Sequence, residues 1–115
     1  MLLCCEMGDT EQRYKVVVFV PWEALDAVRA AMARAGAGVI GDYDWCSFAT
    51  KGRGTFRGGV ASSPVVGRAG RLEEVPEWRL EMVADADVVK AVVAAMKAAH
   101  PYEEVAYDVY RLENF

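Results

Sequence analysis

Apolar positions along the chain change period four times, and each change marks an element. Residues 14 to 20, Tyr-Lys-Val-Val-Val-Phe-Val, are rich in β-branched residues with little alternation, the signature of a central strand with both faces covered. Pro21 suits the first position of a helix, and Leu25, Val28, Met32 and Ala35 then recur at helical spacing until Gly36 supplies a stop. A helix is predicted from about Pro21 to Ala35. Tyr43 to Ala49 and Thr55 to Arg57, separated by Thr-Lys-Gly-Arg-Gly, read as a hairpin whose glycines permit the turn. Residues 58 to 71 follow as a long irregular stretch. Glu77 to Val83 alternates, with Trp78, Leu80 and Met82 on one side and Arg79 and Glu81 on the other, and is a strand. Val88, Val89, Val92, Val93 and Met96 give a second amphipathic helix from about Asp85 to Ala99, ended at His100 because Pro101 disfavours helical geometry in the residue before it. Val105 to Leu112 forms a last strand.

The order strand, helix, strand, strand, helix, strand is the ferredoxin-like split βαβ arrangement of the α+β class, in one domain from residue 14 to 115 behind a loose tail of residues 1 to 13. In that arrangement both helices cover the same face of an antiparallel sheet. Yet strand one alternates Val16 and Val18 against Val17 and Phe19, and the last strand alternates Val105, Tyr107 and Val109 against Ala106, Tyr110 and Leu112. Two apolar faces and one helical layer imply self-association.

Composition narrows the chemistry. The 115 residues carry 13 Lys and Arg against 17 Asp and Glu, a formal charge of −4 that argues against non-specific binding to duplex nucleic acid. No apolar run approaches the roughly 20 residues of a membrane span, and the amino-terminal stretch lacks the pattern of a secretion signal, so a cytoplasmic location is expected. The 3 cysteines, Cys4, Cys5 and Cys46, have no disulfide or paired zinc-ligand spacing and read as free thiols. A single histidine, His100, excludes a multi-histidine metal centre within the chain.

Three motifs carry candidate chemistry. Gly36-Ala37-Gly38-Val39-Ile40-Gly41 matches the spacing of dinucleotide-binding loops, but it follows a helix and leads into a strand, the reverse of the required context, and is read as helix termination and a tight turn. Lys51, Arg53, Arg57, Arg68 and Arg71 lie between residues 51 and 72 without one carboxylate; such a Gly-rich basic segment can hold a small anion, meet an acidic neighbour, or stay solvated. His100-Pro101-Tyr102-Glu103-Glu104 is the densest hydrogen-bonding cluster; a divalent metal there would draw on His100 with Glu103 or Glu104, and the plain alternative is a helix stop tying the next strand. Asp108, between Tyr107 and Tyr110, is expected to pair with Arg79 or Arg57. Met32 and Met96 read as core filler, and Trp22, Trp45 and Trp78 as core or interface.

The segments YKVVVFVP (14 to 21), AGAGVIGDYD (35 to 44), Cys46-Ser47-Phe48, GRGTFR (52 to 57), Pro64 to Gly67, Leu72 to Val75 and HPYEEVAYDVYRLEN (100 to 114) resemble, in order, the inserted CutA-like or PII-like domain of Nif-three-like proteins. The resemblance implies a ferredoxin-like domain that associates through its sheet, as CutA-like trimers do. It also implies that the family's di-metal site lies in a separate, larger domain whose motifs are missing here, so metal-dependent hydrolysis is not inherited. The chain departs from the family pattern at Trp45, where a histidine is common, and at Gly58, Ser63 and Val105. The expected function is a non-enzymatic, oligomeric regulatory or ligand-sensing domain without a cofactor. Its candidate ligand-binding residues are Lys51, Arg53, Arg57, Arg68, Tyr102, Tyr107 and Asp108. The alternatives are a CutA-type divalent-metal-binding protein using His100, Glu103 and Glu104, and a structural partner module for a separate hydrolase core.

Overall fold

A computed structural model describes residues 12 to 60 and 68 to 115. Residues 1 to 11 of the expected tail, with Cys4 and Cys5, and half of the irregular stretch, with Ser63 and Pro64 to Gly67, lie outside the described residues, while Arg13 at the end of the expected tail already belongs to the first strand. The elements are β1 (Arg13–Val20), α1 (Trp22–Arg34), β2 (Phe48–Arg57), β3 (Leu72–Asp85), α2 (Val89–Ala99) and β4 (Tyr107–Arg111). They form one antiparallel sheet of order β2-β3-β1-β4. The fold is the expected ferredoxin-like α+β arrangement.

Local chemistry accounts for most boundaries. Pro21 takes the N-cap of α1 in extended geometry, one position before the expected one, and Ala24, Leu25, Val28, Met32 and Ala33 line the buried side of the helix. The helix ends in a Schellman motif: Gly36 N–H donates to Ala33 O and Ala37 N–H to Met32 O, both at 3.0 Å. Gly38 then turns the chain at φ +87, its N–H donating to Val83 O at 2.7 Å while its own carbonyl accepts from Cys46 N–H at 2.8 Å. The GxGxxG spacing is thus spent on a helix stop and a turn. Val16, Val18 and Val20 of β1 with Leu80, Met82 and Ala84 of β3 meet Leu25, Val28 and Met32 of α1 and Val92 and Met96 of α2 in a single core.

Four expectations are corrected. The glycines of residues 50 to 54 do not make a hairpin turn; β2 runs straight through them and pairs along its whole length with β3, from Phe48↔Glu81 to Arg57↔Leu72. Cross-strand pairing over ten residues outweighs the turn preference of isolated glycines. Strand β3 therefore starts at Leu72 rather than Glu77, α2 starts at Val89 rather than Asp85, and β4 covers Tyr107 to Arg111 rather than Val105 to Leu112. Because β1 pairs with β3 only from Trp78 to Asp85, the Leu72–Glu77 half of β3 has β2 as its one strand partner and projects as a two-stranded ribbon.

The face of the sheet away from the helices is not an apolar surface. Val17 is fully buried there, yet its register partners are Glu81 and Asp108, and Lys15 and Arg79 both bond Glu81, at 3.5 and 2.9 Å. Arg79 is thereby committed to Glu81 rather than to Asp108, the partner expected from sequence. The charges arise because β3 alternates: Trp78, Leu80 and Met82 turn to the helices, and Glu77, Arg79 and Glu81 turn away.

Candidate functional site

Where the ribbon leaves the helix-backed sheet, a hollow of about 410 Å³ opens on the uncovered face. By register, Phe19 of β1, Thr50, Gly52 and Gly54 of β2, Glu77 and Arg79 of β3 and Ala106 before β4 project to this side. Lys51 and Arg53 border it from the intervening β2 positions. The two glycines make a floor without side chains. A Cβ at Gly54 would collide with the Glu77 carboxylate, so glycine there is what lets Glu77 lie across β2. Burial pushes the Glu77 carboxyl above its ordinary value. On the other side, Arg79 donates through Nε to Glu81 and stands 5.9 Å from the centre of the Phe19 ring.

His100 closes this end of the sheet from behind. It is buried; its Nδ1 accepts the Tyr102 N–H at 3.1 Å, which leaves Nε2 to donate to Phe19 O at 2.8 Å. Phe19 N–H in turn donates to Ala106 O at 3.1 Å, so the histidine fixes the backbone on one wall of the hollow. The rings of His100 and Tyr102 lie 4.9 Å apart, and the Tyr102 hydroxyl is pushed up by burial and by the Glu77 and Glu23 charges. Beside them, Trp22 and Trp78 stack at 5.2 Å, with Trp22 64% exposed.

The residues singled out from sequence do not all converge. Lys51 and Arg53 reach the rim of the hollow, and Tyr102 stands behind it near Glu77. Lys51, Arg53 and Arg57 share the opposite face of the ribbon, where Arg53 meets Glu74 at 3.4 Å; Arg71 meets Glu73 at 3.5 Å, so the basic segment is partly neutralised by carboxylates just beyond it. Arg68 is exposed away from the hollow. Tyr107 packs against the core under Lys97, whose Nζ is 4.8 Å from its ring centre, and Asp108 lies beside Val17. Glu103 and Glu104 are exposed on the turn after α2, and among the described residues no three His, Cys, Asp or Glu side chains form a metal-holding group. Sequence reasoning passed over Glu77, Arg79 and Gly54. The signal was present in the charged alternate positions of β3, but not the register that sets them against the glycines.

Known proteins share both sequence and shape with this chain. No family model matches it. A curated protein of Halalkalibacterium halodurans named GTP cyclohydrolase 1 type 2 homolog is 50% identical over 105 residues, covering 91% of this chain and 28% of the relative. The protein of the same name from Bacillus subtilis is 48% identical over 105 residues, with the same coverage of 91% and 28%. The solved structure of a Bacillus cereus protein related to NIF3 superposes with a TM-score of 0.76 at 48% identity, over 90% of this chain and 26% of that one. The chain matches a single domain-sized segment of NIF3-related proteins. The chain spans 28% of the length of the curated relatives it matches, and the cyclohydrolase name belongs to those longer proteins. Its fold recurs in the divalent cation tolerance protein CutA of Archaeoglobus fulgidus, with a TM-score of 0.65 at 13% identity over 90% of this chain and 86% of that one. It recurs also in Bacillus subtilis GlnK, solved with ATP, with a TM-score of 0.60 at 13% identity over 90% and 85% of the two chains. Among the described residues, no helix is long and apolar enough to cross a membrane.

Proposed function

We propose that the domain is a non-enzymatic, self-associating regulatory module that senses a small charged ligand in the hollow at the base of the ribbon. The position of the hollow carries this reading. It lies where β2 and β3 leave the sheet, so a ligand seated on Thr50, Gly54 and Arg79 touches the strands whose projecting halves need external support. A two-stranded ribbon is marginal in water by itself. A second copy packed along it supplies the missing layer, and a ligand that binds the packed form more tightly shifts the assembly. The Arg79 guanidinium, on the hollow's own face of the sheet, favours a ligand with an anionic group. The chain's one histidine is spent at both ring nitrogens on backbone groups, which supports a role without catalysis.

A specific observation favours one further reading, an accessory module for the body of a NIF3-type protein. The ends of the fold are neighbours: Leu112 N–H donates to Arg13 O and Gln12 Nε2 to Leu112 O, both at 3.0 Å. That geometry suits a domain carried inside a longer chain. The CutA-type metal reading would need His100 to give up one of its backbone hydrogen bonds, and it draws the least support.

Sedimentation at micromolar concentration, combined with a thermal-shift panel of divalent metals, nucleotides, phosphorylated metabolites and amino acids, tests these readings. The expected result is an oligomer stabilised by a charged metabolite, with the effect weakened in Arg79→Ala. A monomer indifferent to the whole panel would overturn the sensing reading and leave the accessory module. Stabilisation by Cu²⁺ or Zn²⁺ that disappears in His100→Ala would establish the metal reading instead.

A further inference from the structure

The hollow is bounded by one carboxylate and one guanidinium on the same strand face, and from this pairing we infer that its ligand is a free α-amino acid, its ammonium on Glu77 and its carboxylate on Arg79. The inference rests on the sensing reading above and names the ligand class. Glu77 and Arg79 are two residues apart on β3 and point the same way, which places their Cα atoms about 7 Å apart. A ligand with both charges on one carbon bridges such a span with a charge-assisted hydrogen bond of about 2.8 Å at each end. A phosphate or a metal ion would satisfy one wall and be repelled by the other.

The state of the two groups agrees with this. Arg79 spends Nε on Glu81 and a further hydrogen bond on Tyr110, which still leaves donors of its five-donor fork for a ligand, while Glu77 has no ion-pair partner among the described residues despite being partly buried. Burial already raises its proton affinity, so an arriving ammonium relieves a desolvated carboxylate rather than competing with an existing salt bridge. Beside the charges, Phe19, Ala106 and the backbone of Gly52 offer a shallow, largely apolar bed for a side chain.

Isothermal titration of the purified chain with a panel of α-amino acids, each alongside its N-acetyl and carboxamide derivatives, tests the proposal. At least one free amino acid should bind, and removing either charge from it should weaken binding about tenfold or more. Glu77→Gln should reproduce the loss seen with the acetylated ligand while leaving the circular dichroism spectrum unchanged. Equal binding of free and acetylated ligand would overturn the assignment, as would silence of every amino acid while phosphorylated metabolites bind; in the second case the sensing reading survives. Silence toward every class of ligand overturns both. The ligand derivatives probe the unmodified protein, so the test does not depend on any variant folding.

Discussion

The carboxylate of Glu77 occupies the space that a side chain at Gly54 would need. Register brings the two together: Gly54 pairs with Val75 and Gly52 with Glu77, so the acidic side chain leans along the ribbon over the neighbouring glycine. Gly54 has no left-handed backbone requirement, and the atoms in the way belong to the far end of a flexible side chain. Gly54→Ala should therefore leave stability unchanged or raise it by about 0.5 kcal/mol through the unfolded state, while displacing Glu77. Urea unfolding paired with ligand titration would show stability and binding moving apart; a loss of both would mean the strand cannot absorb the methyl group.

Glu77 and Glu81 should give opposite pH signatures. Burial raises the Glu77 carboxyl, so the folded state binds a proton more readily than the unfolded one, and stability falls as pH rises from the ordinary value of 4.5 through the raised one. Glu77→Gln should be more stable than the parent at neutral pH and equal to it in acid. Glu81 is lowered by the Arg79 hydrogen bond, and by the Arg79 and Lys15 charges against its own burial. Its contribution is present above the ordinary value and is lost as pH falls through the lowered one, so Glu81→Gln should cost stability at neutral pH and converge with the parent in acid. Thermal melts from pH 3 to pH 8 would check both.

Removing the imidazole of His100 strips partners from Phe19 O and Tyr102 N–H together. His100→Ala should cost about 2 kcal/mol or more, since each stranded backbone group carries a desolvation penalty. Hydrogen exchange should show the loosening at the end of β1 and the turn after α2, with β3 near Asp85 unaffected.

Gly38 combines a left-handed backbone with contact on both sides, because a Cβ would lie 2.8 Å from both Cys46 N and Cys46 O. Gly38→Ala should destabilise by about 2 kcal/mol or more, measured by urea unfolding. Gly41, also left-handed but with open space around it, should tolerate alanine at a smaller cost of about 1 kcal/mol.

What the sequence determined by itself is local. Valines and methionines at strand and helix periods announced β1, α1 and α2 and the core residues Val16, Val18, Val28, Met32 and Met96; Gly36 announced the end of α1, and Pro101 the end of α2. The alternation of β3 showed that Arg79 and Glu81 share a face. Only the tertiary structure decided what lies opposite that face. Gly52 and Gly54 read as a turn because glycine permits one, and they became strand because β3, two dozen residues away, supplied ladder hydrogen bonds along the whole of β2. Whether Arg79 pairs with Asp108 or Glu81, and whether Glu77 meets a glycine, depends on strand register. Periodicity sets which way a side chain points; the partner across the sheet is set by hydrogen bonds between segments that are distant in sequence, and that is why the site lay hidden in a chain whose fold was legible.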